Sequence, residues 1–201
     1  MASARYYFRR VFYYLRKGLD DPSLAFNYLF HGSVEATRFQ VRRIARNSGV
    51  KAEEVVRYYQ SPTLVDLTGT IVKAAGETPF VGVGPSAGFD IYTLLRILKP
   101  ETVIETGVEA GVSSSFILRA LADNNKGTLY SIDYRVQEGD RVENIKLGLI
   151  PVEAIPKDKE TGFVIPDSLR SRWKFNPGKS SDILPGLLKE LGKVNVFWHD
   201  S

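Results

Sequence analysis

The residues best able to do chemistry in this 201-residue sequence stand in one stretch, Thr102 to Leu118, which reads T-V-I-E-T-G-V-E-A-G-V-S-S-S-F-I-L. A β-branched run, Thr102-Val103-Ile104, leads into Glu105, then Gly107 and Gly111, and then a serine cluster that opens a new apolar segment. The order spells strand, turn, helix. In an open parallel sheet a ligand lies at the carboxyl ends of the strands, where the first turn must bring bare backbone close to it. Gly107 and Gly111 permit that approach, and Ser113 or Ser114 can cap the helix that follows.

A glycine turn by itself is most often only a connection, and the carboxylate is what narrows its use. Glu105, at the mouth of the turn, opposes the pyrophosphate of a dinucleotide and suits a cation. S-adenosylmethionine offers an ammonium for Glu105 and a carboxylate for the helix amides, and it carries no phosphate. The spacing also departs from G-x-G-x-x-G, because position 109 is Glu. Asp133 closes a second apolar run, Thr128 to Ile132, 28 positions after Glu105. That is about one strand-helix-strand step, and an acid there accepts hydrogen bonds from ribose hydroxyls. Ser181 and Asp182 open a later helix at the same edge, where adenine would fall. Capping is their simpler role, and the two roles are compatible.

These residues need a sheet to hold them. Strands are expected at 102–106, 128–132, 173–175 and 194–198, alternating with helices at 116–123 and 180–191. The segment 134–165 is charged, proline-bearing and weakly periodic, so it reads as a long excursion of the kind that is often functional. Upstream, helices are expected at 23–30, 34–47, 51–60 and from Ser61-Pro62 to about Ala75. G-V-G-P-S-A-G, residues 82–88, lacks the Lys-Ser/Thr ending of a phosphate loop and reads as a flexible loop before a short helix at 89–98. The expected organisation is a basic, all-helical extension or cap over residues 1–88 and an α/β domain, Rossmann-like with a doubly wound, mostly parallel sheet, over 89–201.

Composition excludes several classes. The sequence has no cysteine, so disulfides, thiolate metal sites and cysteine nucleophiles are out, and His31 and His199 are too few for a histidine cage. No stretch approaches the roughly 20 apolar residues of a membrane span, and the start lacks the apolar core of a signal peptide. A cytoplasmic protein is expected. The net charge of +4 is local: residues 1–60 hold 11 Lys and Arg against 5 Asp and Glu, leaving 16 against 18 in the rest. Arg5, Arg9 and Arg16 share helical spacing, with Phe8, Val11, Phe12 and Leu15 clustered on another side. Such a helix can pack on its own domain, meet a second copy in a homo-oligomer, or lie peripherally on an anionic membrane. Arg38, Arg42, Arg43 and Arg46 come with no nucleic-acid motif, so a solvated face is expected and nucleic acid is not.

Taken in order, Glu105-Thr-Gly107-Val-Glu-Ala-Gly111-Val-Ser113-Ser, Leu129-Tyr-Ser-Ile-Asp133, Ile165-Pro-Asp-Ser-Leu-Arg-Ser-Arg-Trp173 and Phe197-Trp-His-Asp200-Ser resemble a branch of the class I S-adenosylmethionine-dependent methyltransferases. The resemblance covers about residues 89–201. It implies that Glu105 holds the methionine part of the cofactor, that Asp133 holds ribose, and that Ser181 and Asp182 flank adenine. It further implies a small-molecule or sugar hydroxyl as methyl acceptor. The family's fourth strand often ends in Asp-x-x-His, beginning at the position of Asp200, and in relatives that use a divalent cation this acid is a metal ligand. Asp200 is therefore the candidate catalytic group and the candidate metal ligand. The family's sheet has seven strands, of which four can be placed. The sequence accordingly reads as truncated after strand four, with the C-terminal strands missing, prone to associate through that edge and inactive alone. From other classes come a non-catalytic cofactor-binding or scaffold module, and an NAD-dependent oxidoreductase, which Glu105 and the missing middle glycine disfavour.

Overall fold

The computed structural model describes residues 32–76, 85–135, 155 and 158–199. The aromatic basic helix expected around residues 5–17, the helix at 23–30, His31 and Asp200 lie outside them. The chain divides into two compact units, residues 1–57 and 58–201. The first holds helix α1 (Gly32–Ser48) and all but the last two residues of α2 (Ala52–Tyr59). On α1 Val41, Ile44 and Ala45 are buried at helical spacing while Arg42 and Arg46 are exposed, the pattern of an amphipathic helix.

The second unit holds α3 (Pro62–Ala75), α4 (Pro85–Leu98), β1 (Thr102–Thr106), α5 (Val112–Asp123), β2 (Thr128–Asp133), a 3₁₀ turn at Asp167–Arg172, β3 (Trp173–Pro177), α6 (Ser180–Leu191) and β4 (Val196–His199). The four strands form one parallel sheet in the order β3-β2-β1-β4. Because α3 and α4 share a unit with the sheet, the boundary expected at 88/89 falls inside α4.

Alternation along the strands sends each side chain to one of two faces. Val103 and Leu129 join α3 (Leu64, Leu67, Ile71, Ala75), α4 (Ile91, Tyr92, Leu95) and α5 (Phe116, Ile117, Leu121) in the larger core. Ile104 and Ile132 point the other way, to Ile183, Leu184 and Leu187 of α6. Helices on both faces of a parallel sheet make the doubly wound α/β architecture. Helix α5, wedged between the sheet and its neighbours, is buried almost all round, including Ser113, Ser114 and Ser115.

Two local expectations change. The stretch 82–88 is not all loop, since α4 begins at Pro85, a residue suited to the first helical position. Gly88 is needed there because a Cβ would fall 2.4 Å from the Phe116 ring. Helix α5 is not capped by Ser113 or Ser114. Gly111 caps it with left-handed backbone (φ 92°), which frees both hydroxyls for other work.

A polar cluster closes the far end of the helical layer. Tyr92 donates its hydroxyl to Asp123 Oδ2 at 2.6 Å, Arg96 Nη1 lies 3.3 Å from the same oxygen, and Arg119 donates to Asp123 Oδ1. Asn124 accepts from Arg96 Nε and donates to Leu95 O, each at 2.8 Å. One carboxylate thus ties α4 to α5. Replacing Asp123 with Ala takes the carboxylate away from two guanidinium groups and the Tyr92 hydroxyl and is expected to cost about 1.5–3 kcal/mol, the range for a hydrogen bond to a charged group. Urea unfolding measures the loss, and an unchanged midpoint would mean the cluster is held by solvent instead.

Candidate functional site

Strand β1 must place an acid under a glycine turn, and it does so by alternation: Glu105 points to the α5 face and is wholly buried. A buried carboxylate needs donors. Ser113 Oγ donates to Oε1 at 2.7 Å, while Ser114 Oγ and Ser131 Oγ donate to Oε2 at 2.6 and 2.7 Å. Two of these hydroxyls belong to the first turn of α5, so the negative charge also sits where the helix dipole favours it. Sequence reasoning put Glu105 at the mouth of the turn. The structure places it beneath the turn, with both oxygens taken up by hydroxyls.

The turn itself, residues 107–111, holds three left-handed positions: Gly107 (φ 84°), Glu109 (φ 51°) and Gly111 (φ 92°). Each side of it is fastened. Gly107 N–H donates to Ile132 O at 2.9 Å, and Glu109 N–H donates to Asp133 Oδ2 at 2.9 Å. From the other side, Gly162 N–H donates to Glu109 O at 2.8 Å and Val164 N–H to Ala110 O at 3.0 Å. The end of the long excursion therefore straps the turn. A Cβ on Gly111 would lie 2.8 Å from Gly162 Cα and 2.7 Å from Ile165. Gly111 thus serves close approach of protein backbone on its strap side.

Beside the turn, at the carboxyl ends of β2 and β3, opens a cavity of about 490 Å³, within the range of small-molecule sites. Asp133, Glu160, Thr161, Arg170, Trp173 and Phe175 are among its walls. Trp173 stacks with Phe175 (centroids 5.4 Å, 26°), Arg170 lies over the Trp173 ring at 5.2 Å, and Trp173 Nε1 donates to Ser131 Oγ at 2.9 Å. Arg170 is anchored by Gly162 O at 2.9 Å and by Asp167 at 3.2 Å. At the other end of the edge, between β1 and β4 where the strand order reverses, Thr106 Oγ1 and His199 Nδ1 are 2.7 Å apart.

Of the residues singled out from sequence, Glu105, Gly107, Gly111, Ser113 and Asp133 come together around the turn. Ser181 and Asp182 do not join them: exposed at the start of α6, they bond to each other at 2.7 Å and lie outside the cavity walls. Asp200 lies outside the described residues, among which no three His, Asp or Glu side chains gather as a metal site. Sequence reasoning missed Ser131, Arg170 and Trp173. Ser131 left a signal, a hydroxyl at an inward position of an otherwise apolar strand, facing a known acid.

Residues 104–201 match a family described as a methyltransferase domain. A catechol O-methyltransferase of Niastella koreensis is 25% identical over 144 residues, which are 71% of this chain and 55% of that protein. Among solved structures, cofactor-bound Rv0187 from MTB is 18% identical with a TM-score of 0.38, over 63% of this chain and 48% of that one. A candidate O-methyltransferase from Klebsiella pneumoniae is 16% identical with a TM-score of 0.37, over the same shares. The chain spans about half the length of the relatives it matches.

The strapped turn makes a sharp prediction. Gly111→Ala forces a side chain into left-handed backbone, at roughly 1–2 kcal/mol, and into contact with Gly162 Cα, so a larger total loss of stability is expected. Gly69→Ala, on α3 with nothing within 4 Å of the new Cβ, is the control and should gain about 0.5–1 kcal/mol. Thermal melts of the two variants should move in opposite directions.

Proposed function

We propose that this chain, whose residues 104–201 match a family described as a methyltransferase domain, binds S-adenosylmethionine along the carboxyl edge of the sheet. On this reading it serves methyl transfer to a hydroxyl of a small molecule or sugar. The observation that carries the cofactor assignment is the placing of Asp133. Asp133 lines the cavity, and its carboxylate fastens the glycine turn through Glu109 N–H, so one residue stands by both the ribose position and the amino-acid position of a single ligand.

The roles divide by place. The cavity between β2 and β3 takes the adenosine part, with Asp133 accepting from ribose hydroxyls and Arg170, Trp173 and Phe175 forming the planar surroundings of the base. Gly107 to Gly111 and the first amides of α5 take the amino-acid part, the helix start favouring its carboxylate. Glu105 contributes from below, by fixing Ser113 and Ser114. The sulfonium, when bound, supplies the reactive methyl group. What the chain supplies is orientation of that group toward the acceptor, the largest entropic part of such a barrier. The acceptor hydroxyl's proton must go to a base, for which Asp200, directly after β4, is the proposed group. A divalent cation at Asp200 is the companion proposal. Membrane association or self-association through the basic helix at residues 5–17, and a cytoplasmic location, likewise stand as proposals. Among the described residues no helix is long and apolar enough to cross a membrane.

Asp133→Asn keeps an oxygen for Glu109 N–H and removes the charge. S-adenosylhomocysteine should then bind about 10-fold more weakly or worse, as for the loss of a charge-assisted hydrogen bond. Calorimetry of parent and variant with S-adenosylhomocysteine and with NAD reads this out. Preference of the parent for NAD would sink the methyltransferase reading in favour of an oxidoreductase.

A further inference from the structure

The polar groups beneath the turn form one continuous line. Trp173 Nε1–H donates to Ser131 Oγ at 2.9 Å, and Ser131 Oγ–H donates to Glu105 Oε2 at 2.7 Å. Glu105 in turn accepts from Ser113 and Ser114 of α5. The directions are forced. An indole nitrogen can only donate, and a hydroxyl has one proton, which here goes to the carboxylate. Ser131, Glu105, Ser113 and Ser114 are all buried, so no solvent replaces a lost member. A second line reaches the turn from the same ring. A Cβ on Gly162 would lie 2.6 Å from the Trp173 ring, so Trp173 backs the residue whose N–H holds Glu109 O. Phe175 stacks on the ring and Arg170 lies over it, so its neighbours fix its orientation.

We propose that Trp173 is a positioning residue for the amino-acid end of the cofactor: through Ser131 it sets the Glu105 carboxylate, and through Glu105 the first turn of α5. The proposal rests on the cofactor reading given above. Its physical content is that an N–H on the cavity wall polarises Ser131 and strengthens the bond that Ser131 makes to Glu105, as donors in series do in a buried network. Loss of that N–H loosens Glu105 and with it Ser113 and Ser114. The adenosine end depends on Asp133 and on the faces of the cavity's rings, not on the indole N–H, and feels the loss of that N–H far less.

The test compares parent, Ser131→Ala, Trp173→Phe and the double variant by calorimetry with S-adenosylhomocysteine and with adenosine. Each single substitution should weaken S-adenosylhomocysteine about 3–10-fold, within the range of one neutral hydrogen bond, while in Ser131→Ala, which leaves the cavity walls as they are, adenosine changes by less than about twofold. The double variant should bind no more weakly than the weaker single, since both act on one line. Unchanged S-adenosylhomocysteine affinity in Ser131→Ala overturns the proposal and leaves the cofactor reading standing. Equal weakening of both ligands in Ser131→Ala also overturns it, because that marks a general loss of packing. A parent that binds neither ligand overturns the cofactor reading. The relay is then scored by the Trp173 indole proton resonance, assigned with Trp198→Phe as the only other tryptophan. It should shift in Glu105→Gln, and no shift refutes the relay itself.

Discussion

A fully buried carboxylate, Glu105, organises the centre of this fold. Leaving an ionised group in the interior costs several kcal/mol unless donors meet it, and the sequence meets it with three hydroxyls from two different elements. Because those donors sit on α5 and β2 while the acid sits on β1, the three elements cannot shift against one another without breaking a buried bond. Apolar contact alone would hold the layers together but would leave their register soft. The hydroxyls make it discrete, which matters where a turn must be held for a ligand.

The turn above shows the same economy. Glu109 adopts a left-handed conformation that non-glycine residues seldom take. Its N–H goes to Asp133 and its C=O receives Gly162 N–H. Two hydrogen bonds of ordinary strength can offset the roughly 1–2 kcal/mol of such a conformation. The missing middle glycine, which in sequence marks a departure from the dinucleotide pattern, is thus a position that behaves like a glycine and is held there by its neighbours.

What could be read from the sequence follows from how local each cause is. The strands at 102–106 and 128–132, the helix stripe at 183–191 and the glycine turn rest on neighbours in the chain, and the structure has them in those places. The two-sided core follows from alternation, with Val103 and Ile104 going to opposite faces as the period of two requires. Illegible were the features that depend on distant partners. Ser113 looks like a cap until Glu105 is seen beneath it. Ser181 and Asp182 stand at the right edge, but bond to each other outside the cavity. Asn195, whose side chain accepts the N–H of Glu101 at 3.0 Å and of Thr102 at 2.9 Å, pins β4 against β1, and no local pattern announces it.

The strap at 162–165 is where the two kinds of cause meet. As sequence it is the tail of a charged, weakly periodic stretch with no element of its own, yet Gly162, Val164 and Ile165 supply two backbone bonds and the packing that the turn needs from outside. Backbone donors serve well here because they carry no side-chain entropy, and the turns closed by Phe163 N–H to Glu160 O and Ile165 N–H to Gly162 O hold the N–H groups of Gly162 and Val164 against the carbonyls of Glu109 and Ala110. Such a contact asks of the sequence only that nothing block it, which is why glycine stands on both sides at 111 and 162. The long excursion therefore belongs to the site through its last few residues, and the cavity wall formed by Glu160, Thr161 and Trp173 follows from where that strap is tied down.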